Sequence, residues 1–326
     1  MVNAPFALFR DDLAGREVLF EQPSEIIVAR SAEEFEPALV AAQAAHEAGK
    51  WLAGYFSYEA GYLLEPKLVP LLPGSRRAPL VRLGVFDAPS DRAPPQPGQP
   101  ATNGPIFEAK AAWSFEAYEK RFSRLHRHIR EGDCYQGNLT FPIDAHWTGE
   151  PLAAFNALTR RQPVRYGALI DFGEPVVLSR SPELFFAVDG EGWIETHPMK
   201  GTAPRGATPA EDDALKTFLR NDEKNQAENR MIVDLLRNDI SLISEVGTLD
   251  VPELFRIESY PTVHQMVSRV RAKLLPGLSI RRIFAALFPC GSITGAPKIR
   301  AMEILHDLEG TPRDVYCGAI GWIAPG

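Results

Sequence analysis

Two prolines, Pro198 and Pro204, do most to limit how this 326-residue chain can fold. Proline fixes its own φ, lacks a backbone N–H, and pushes the residue before it out of the helical region. Residues 198–204 therefore cannot be a regular helix interior. Trp193 and Ile194 just ahead read as the end of a strand, so a constrained connection is expected after them. Within it Lys200 stands directly before Gly201 and Thr202. Glycine there permits unusual backbone angles and close approach of a ligand. Thr202 adds a hydroxyl that can donate or accept. A lysine in such a place is by default a solvated charge, and only its companions elsewhere in the chain can raise it above that.

The N-terminal part mixes short strands with one helix. Residues 18–20 and 25–30 read as strands, and Ser31 with Glu34 forms a capping box that opens an alanine-rich helix to about residue 48. Aromatic residues 51–58 and apolar residues 81–86 read as further strands. Residues 88–105 then hold six prolines in eighteen positions, which makes an extended linker or long surface loop. A border is expected here: an N-terminal subdomain over 1–90, a linker over 91–105, and a second domain over 106–326.

Past the linker, Phe115, Tyr118, Phe122, Leu125 and Ile129 hold helical spacing over residues 115–130. Residues 134–141 alternate as a strand, 152–161 read as a helix, and 165–172 and 175–179 as strands about a Gly173 turn. Glu183 follows a proline and precedes the apolar Leu184-Phe185-Phe186; alone, it is a solvated carboxylate at a strand entrance. A helix is expected over about 221–239, with Ala227, Met231, Ile232, Leu235 and Leu236 on its apolar face and Glu228 among them. A charge there is costly unless paired or bound to a cation, so Glu228 reads either as half of an internal salt bridge or as a hard ligand for Mg2+. Residues 259–270 alternate as a strand that puts His264 beside Met266, Ser268 and Val270, the setting of a satisfied core histidine. Residues 288–300 form a Gly/Ser/Thr loop opening a helix, with Pro297 in its first turn. The loop fails the phosphate-binding pattern, because Lys298 follows proline and Ile299 stands where Ser or Thr is required. A nucleoside triphosphate is therefore rejected, and carboxylate binding stays open. Residues 315–323 read as a last strand, with no later segment to pair with it.

Charge and composition exclude some partners. The net charge of −7 lacks the basic footprint of nucleic-acid binding. No apolar run reaches the length of a membrane span, and the first ten residues lack the pattern of a signal peptide. Cys134, Cys290 and Cys317 are odd in number and far apart, which suits a reduced cytoplasm and offers no metal-site spacing.

Six motifs in order give a sharper reading. GDCYQGN (132–138), SPE (181–183), PMKGT (198–202), AENRMIVDLLRND (227–239), GSITGAPK (291–298) and YCG (316–318) together resemble the chorismate-utilising enzymes, a family that includes the anthranilate, aminodeoxychorismate, isochorismate and salicylate synthases. The match is strong over about 113–326, and GYFSYE (54–59) resembles the N-terminal part of the synthase components I more loosely. The resemblance implies an α+β fold of two packed antiparallel β-sheets flanked by helices. It implies chorismate as substrate and Mg2+ on its ring carboxylate, with Glu228 at the position of one metal-binding glutamate. Glu183 matches the general acid that protonates the departing C4 hydroxyl, a role that needs a carboxyl kept protonated by a poorly solvated pocket. His264 and Tyr316 match substrate-contacting positions, and Thr202, Thr294 and Gly295 match loop positions lining the pocket. Gln136 stands where the water-using synthases carry a lysine base, which argues against isochorismate chemistry. Lys200 stands where anthranilate synthases usually have alanine and aminodeoxychorismate synthases have lysine. The resemblance is thus nearest to aminodeoxychorismate synthase component I, which works with ammonia from a separate glutamine amidotransferase subunit toward para-aminobenzoate and folate. Anthranilate synthase component I and a non-catalytic truncated relative are the alternatives. Family members continue past the matched YCG strand, so the chain is expected to be a C-terminally truncated form.

Overall fold

The structure, a computed structural model, describes residues 5–92, 108–147 and 149–326. The chain forms two compact units, Met1–Pro182 with Pro297–Gly326 and Glu183–Ala296.

In the first unit, strands Val177–Ser181, Tyr166–Asp171, Phe6–Asp11 and Arg16–Glu21 lie side by side in that order, all antiparallel. A second antiparallel sheet runs Ala319–Ile323, Trp51–Phe56, Val81–Phe86 and Glu25–Ala29. The side-chain period of two puts Ala7, Phe20, Ala168 and Ile170 on one inner face and Ala53, Tyr55 and Phe86 on the other, and these residues form one buried core. Phe20 is its centre, with its ring 5.2 Å from that of Phe86 and 5.8 Å from Trp51. The outer face of the first sheet is closed by helix Pro151–Arg161 through Phe155, packed with Phe6, Leu8, Leu19 and Leu169. Helix Ala32–Glu47 buries Phe35, Ala38, Leu39 and Ala42, and starts at the capping box of Ser31 and Glu34. Helices Phe115–Glu131 and Lys298–Glu309 meet through Leu125, Ile304, Leu305 and Leu308, with Cys134 beside them. Two packed antiparallel sheets with flanking helices are the architecture expected from the sequence.

The second unit is built on the long strand Val263–Lys273. Trp193–Thr196 and Met199–Pro204 follow each other along one edge of it, Asp250–Ser259 lies along the other, and Ala187–Val188 extends the sheet beyond Trp193–Thr196. Helix Glu223–Ser241 covers the sheet, with Val233 and Ile240 packed on Ile194, Val270 and Ala272.

Several expectations are corrected. Residues 1–90 are not a body of their own: Phe6–Asp11 pairs with Tyr166–Asp171, and Trp51–Phe56 with Ala319–Ile323. The proline-rich segment expected as linker lies, over 93–105, outside the described residues. The last strand does have a partner, earlier in the chain, with Gly321 opposite Gly54. Residues 134–141 hold only the two-residue strand Gln136–Gly137, because Thr140 gives its backbone N–H to the Glu309 carboxylate at 2.9 Å rather than to a ladder. In helix Phe115–Glu131, Phe115 and Phe122 are exposed and only Leu125 is fully buried. Helix Pro209–Asn221 was unanticipated, although Thr208, Pro209, Glu211 and Asp212 spell a helix start.

Candidate active site

The segment between the two prolines is a strand, Met199–Pro204, rather than a loop. Its pairing with Val263–Lys273 is irregular: Met199 is opposite Val267 and Thr202 opposite Gln265, so this strand carries one residue more than its partner. Such a bulge kinks the strand and re-aims side chains. Lys200 and Gly201 are the residues inside it. Gly201 has φ 97°, which favours glycine, and a Cβ there would also crowd Asn225, at 3.0 Å from its Oδ1 and 3.1 Å from its Cβ. The bulge is pinned from both ends. Ser268 donates its N–H to the Pro198 carbonyl at 3.1 Å. Asn229, fully buried, donates through Nδ2 to the carbonyls of Lys200 and Met266, each at 3.4 Å, and accepts the Ser268 hydroxyl at 2.6 Å.

Glu183 faces this bulge. The Ser292 hydroxyl donates to its Oε1 at 2.6 Å. Burial pushes the Glu183 carboxyl above the usual carboxylate range, against the Ser292 hydroxyl, the positive charge of Lys200 and the Met199 N–H, which all favour the ionised form. Its apolar surroundings come from the next residues: Phe185 and Phe186 pack on Phe288 and Phe284, with ring separations of 6.0 and 5.9 Å. Ser292 belongs to the short turn Gly291–Thr294. This turn lies against the long helix so closely that a Cβ on Gly291 would be 2.4 Å from Leu235 Cδ2. A carboxyl pushed above its usual range and a lysine are thus brought together from residues seventeen apart in sequence, 183 and 200.

The other expected site residues fall into groups. His264 is fully buried, with Nε2 2.9 Å from Asp212 Oδ1 and Nδ1 2.8 Å from Ser259 Oγ. Thr294 is fully buried too, and its hydroxyl donates to the carbonyls of Cys290 and Gly291, at 3.1 and 3.3 Å. Gly295 is buried with φ 154°. Thr202 is exposed, and its hydroxyl reaches Gln265 Oε1 at 3.2 Å. Glu228 does not sit in the middle of a buried stripe. The buried residues of its helix are Asn229, Ile232, Val233, Leu236, Asp239 and Ile240, one position round from the stripe expected. The Glu228 side chain is 43% exposed and 3.9 Å from Lys224 Nζ, so the expected internal salt bridge is not what holds it. That leaves a hard oxygen donor open to a cation, which suits Mg2+, an ion that takes one or two carboxylates and keeps its remaining ligands from water and substrate. Gln136 and Tyr316 belong to the first unit, where Gln136 is half-buried and Tyr316 is 63% exposed.

Sequence reasoning missed Asn229, Ser292 and Asp212. The first had a signal: 229, 232, 233, 236 and 240 keep helical spacing as well as the set that contains 228. Asp212 had one only through the helix start at Thr208. Ser292 had none, since its partner is 109 positions away.

Comparison with known proteins identifies the family of the chain. A family model described as chorismate binding enzyme matches residues 4–326. Aminodeoxychorismate synthase component 1 of Klebsiella aerogenes is 42% identical over 248 residues, 75% of this chain and 55% of that protein. Aminodeoxychorismate synthase of Streptomyces pristinaespiralis is 43% identical over 220 residues, 68% of this chain and 31% of that protein. The chain thus spans between a third and about half the length of these curated relatives. Among solved structures, anthranilate synthase component I from Streptococcus pneumoniae superposes with a TM-score of 0.77 at 25% identity, over 99% of this chain and 81% of that one.

Proposed function

The chain belongs to the chorismate binding enzymes, and on that premise we propose that it aminates chorismate at C4 to give 4-amino-4-deoxychorismate. The observation that carries the proposal is Lys200 in the strand bulge beside the half-buried Glu183, whose carboxyl is pushed above its usual range by desolvation. Glu183 gives its proton to the C4 hydroxyl as that group leaves as water. Lys200, having given its ammonium proton to solvent, attacks C2 as the free amine in the same event; ammonia then attacks C4 and expels the lysine as the free amine, and the ammonium formed at C4 returns a proton to Glu183, so that two displacements place nitrogen at C4. Thr202, whose hydroxyl lies on an exposed residue, offers a polar contact to the substrate. His264, Thr294 and Gly295 shape its pocket, and Gln136, lacking a base, leaves water unactivated. Glu228 would be one ligand of an Mg2+ ion, which would neutralise the ring carboxylate of chorismate. Ammonia comes from a separate glutamine amidotransferase subunit, and the product leads toward para-aminobenzoate and folate. Three free cysteines support a cytoplasmic setting. No helix among the described residues is long and apolar enough to cross a membrane.

The test is product analysis of this chain with chorismate, Mg2+ and an ammonium salt, with intact mass in parallel. A 4-amino-4-deoxychorismate peak and a chorismate-dependent mass increase, absent in Lys200→Ala, are expected. Anthranilate or isochorismate as product, an adduct in Lys200→Ala, or no product with no chorismate binding would overturn the reading.

A further inference from the structure

Glu183 has a neighbour that the proposed reaction does not yet use. Ser292 is 3% exposed and aims its hydroxyl at Glu183 Oε1 from the Gly291–Thr294 turn. Behind it, the thiol sulfur of Cys290, 6% exposed, is 3.2 Å from the same Ser292 oxygen. A serine hydroxyl has one proton to give. With that proton directed to Glu183, Ser292 accepts from the Cys290 thiol, an order Cys290 to Ser292 to Glu183 that the 2.6 Å Ser292–Glu183 contact favours. The backbone carbonyl of Cys290 takes the Thr294 hydroxyl at 3.1 Å, and Gly291 lies in contact with Leu235, so the turn that aims Ser292 is itself held.

We propose that Ser292 is a positioning residue for Glu183, held in direction by the Cys290 thiol, and that its hydrogen bond receives the negative charge left on Glu183 when the proton departs. The proposal rests on the reading of Glu183 as proton donor. Before transfer Glu183 is a neutral acid, and a neutral acid gains little from a serine donor. During transfer its carbonyl oxygen gains charge, and a hydrogen bond to a charged acceptor is stronger by a factor of about two. Ser292 therefore stabilises the transition state more than the ground state, which is what accelerates a step. Other groups that act on the carboxyl include the Lys200 ammonium and the Met199 N–H. Neither depends on the 290–292 turn, so the contribution of Ser292 can be separated from theirs.

The experiment reads Glu183 directly. The chain carrying 13C-carboxyl glutamate is titrated by NMR, with the Glu183 resonance assigned by its loss in Glu183→Gln. Ser292→Ala is expected to weaken the acid about tenfold, moving its titration upward in pH, and Ser292→Thr to restore it. Cys290→Ala, which keeps the hydroxyl but frees its direction, is expected to move it the same way by less. In turnover, Ser292→Ala should lower kcat about tenfold or more with KM within about twofold, and extend activity to higher pH because the acid form persists there. An unmoved Glu183 titration in both Ser292→Ala and Cys290→Ala overturns the proposal. A moved titration with full turnover in Glu183→Gln overturns the role of Glu183 instead, and with it the catalytic use of Ser292. Unfolding of Ser292→Ala, seen as loss of its NMR dispersion, shifts the decision to Cys290→Ala and Ser292→Thr, where wild-type titration in the first overturns the relay.

Discussion

The Nε2 of His264 lies 2.9 Å from Oδ1 of Asp212, across 52 positions of sequence. Asp212 is gripped by Arg205, which donates Nε at 2.7 Å and Nη2 at 3.0 Å, and by the Gly206 N–H at 2.9 Å. An ionised carboxylate only accepts, so Nε2 carries the ring proton, and in the neutral ring Nδ1 accepts the Ser259 hydroxyl at 2.8 Å. The tautomer of the expected substrate-contacting histidine is thus fixed by a residue on a helix that sequence reasoning overlooked.

This grip sets an acid limit. The Arg205 hydrogen bonds, then the Gly206 N–H, hold the Asp212 carboxyl well below the usual carboxylate range. A folded-state pKa below the unfolded one gives stability that is present above the unfolded value of about 3.9 and is lost as pH falls from there toward the folded value. Asp212→Asn is therefore expected to melt at a lower temperature than wild type at pH 7, with the gap closing as pH drops below about 4. Thermal unfolding across pH checks this; a constant gap from pH 7 to pH 3 would contradict it.

Glu59, in the first unit, gives the opposite sign. It is 1% exposed; burial pushes its carboxyl up to about 7, against the Arg313 N–H that donates to Oε1 at 2.7 Å. A folded pKa above the unfolded value of about 4.3 means that folding resists ionisation, so stability falls as pH rises from about 4 to about 7. Glu59→Gln, neutral throughout, should match wild type near pH 4 and exceed it by up to about 3 kcal/mol at pH 8. Urea unfolding at the two pH values measures it.

Asn229 ties helix Glu223–Ser241 to the bulge and to Val263–Lys273 with three hydrogen bonds, two of them buried. Asn229→Ala leaves the Ser268 hydroxyl and two carbonyls without that partner, at a cost of about 2–3 kcal/mol in denaturant unfolding. Because one of those carbonyls belongs to Lys200, chorismate-dependent adduct formation should slow in the same variant even below its unfolding temperature. An adduct rate equal to wild type would detach Asn229 from the site.

Glu228 is open enough to bind a cation directly. Glu228→Gln removes a charged hard ligand and is expected to raise the Mg2+ concentration needed for chorismate binding about tenfold or more. Mn2+ titration followed by electron paramagnetic resonance reads the same site without turnover. Unchanged metal affinity would move the ion to other ligands.

What the sequence determined by itself was everything carried by neighbours along the chain. The capping box at Ser31, the αL glycine that ends helix Phe115–Glu131, the alternation that buries His264 and the glycine after Lys200 are local matters of dihedral preference and period. The order of six motifs was enough for the family, the two-sheet architecture and the candidate residues. What only the tertiary structure decided were register and rotation. The extra residue at Lys200 exists only relative to Val263–Lys273, and no local pattern announces a bulge whose partner strand is sixty positions on. The helix after Asp222 could bury either 228 or 229, since adjacent residues differ by about 100° around its axis and both sets keep the period. Packing on Val270 and Ala272 chose Asn229, and turned Glu228 outward. The contacts that govern the acid and the histidine, Ser292 with Glu183 and Asp212 with His264, join residues distant in sequence. Only the closing of the chain on itself, driven by burial rather than by local preference, brings them within a hydrogen bond.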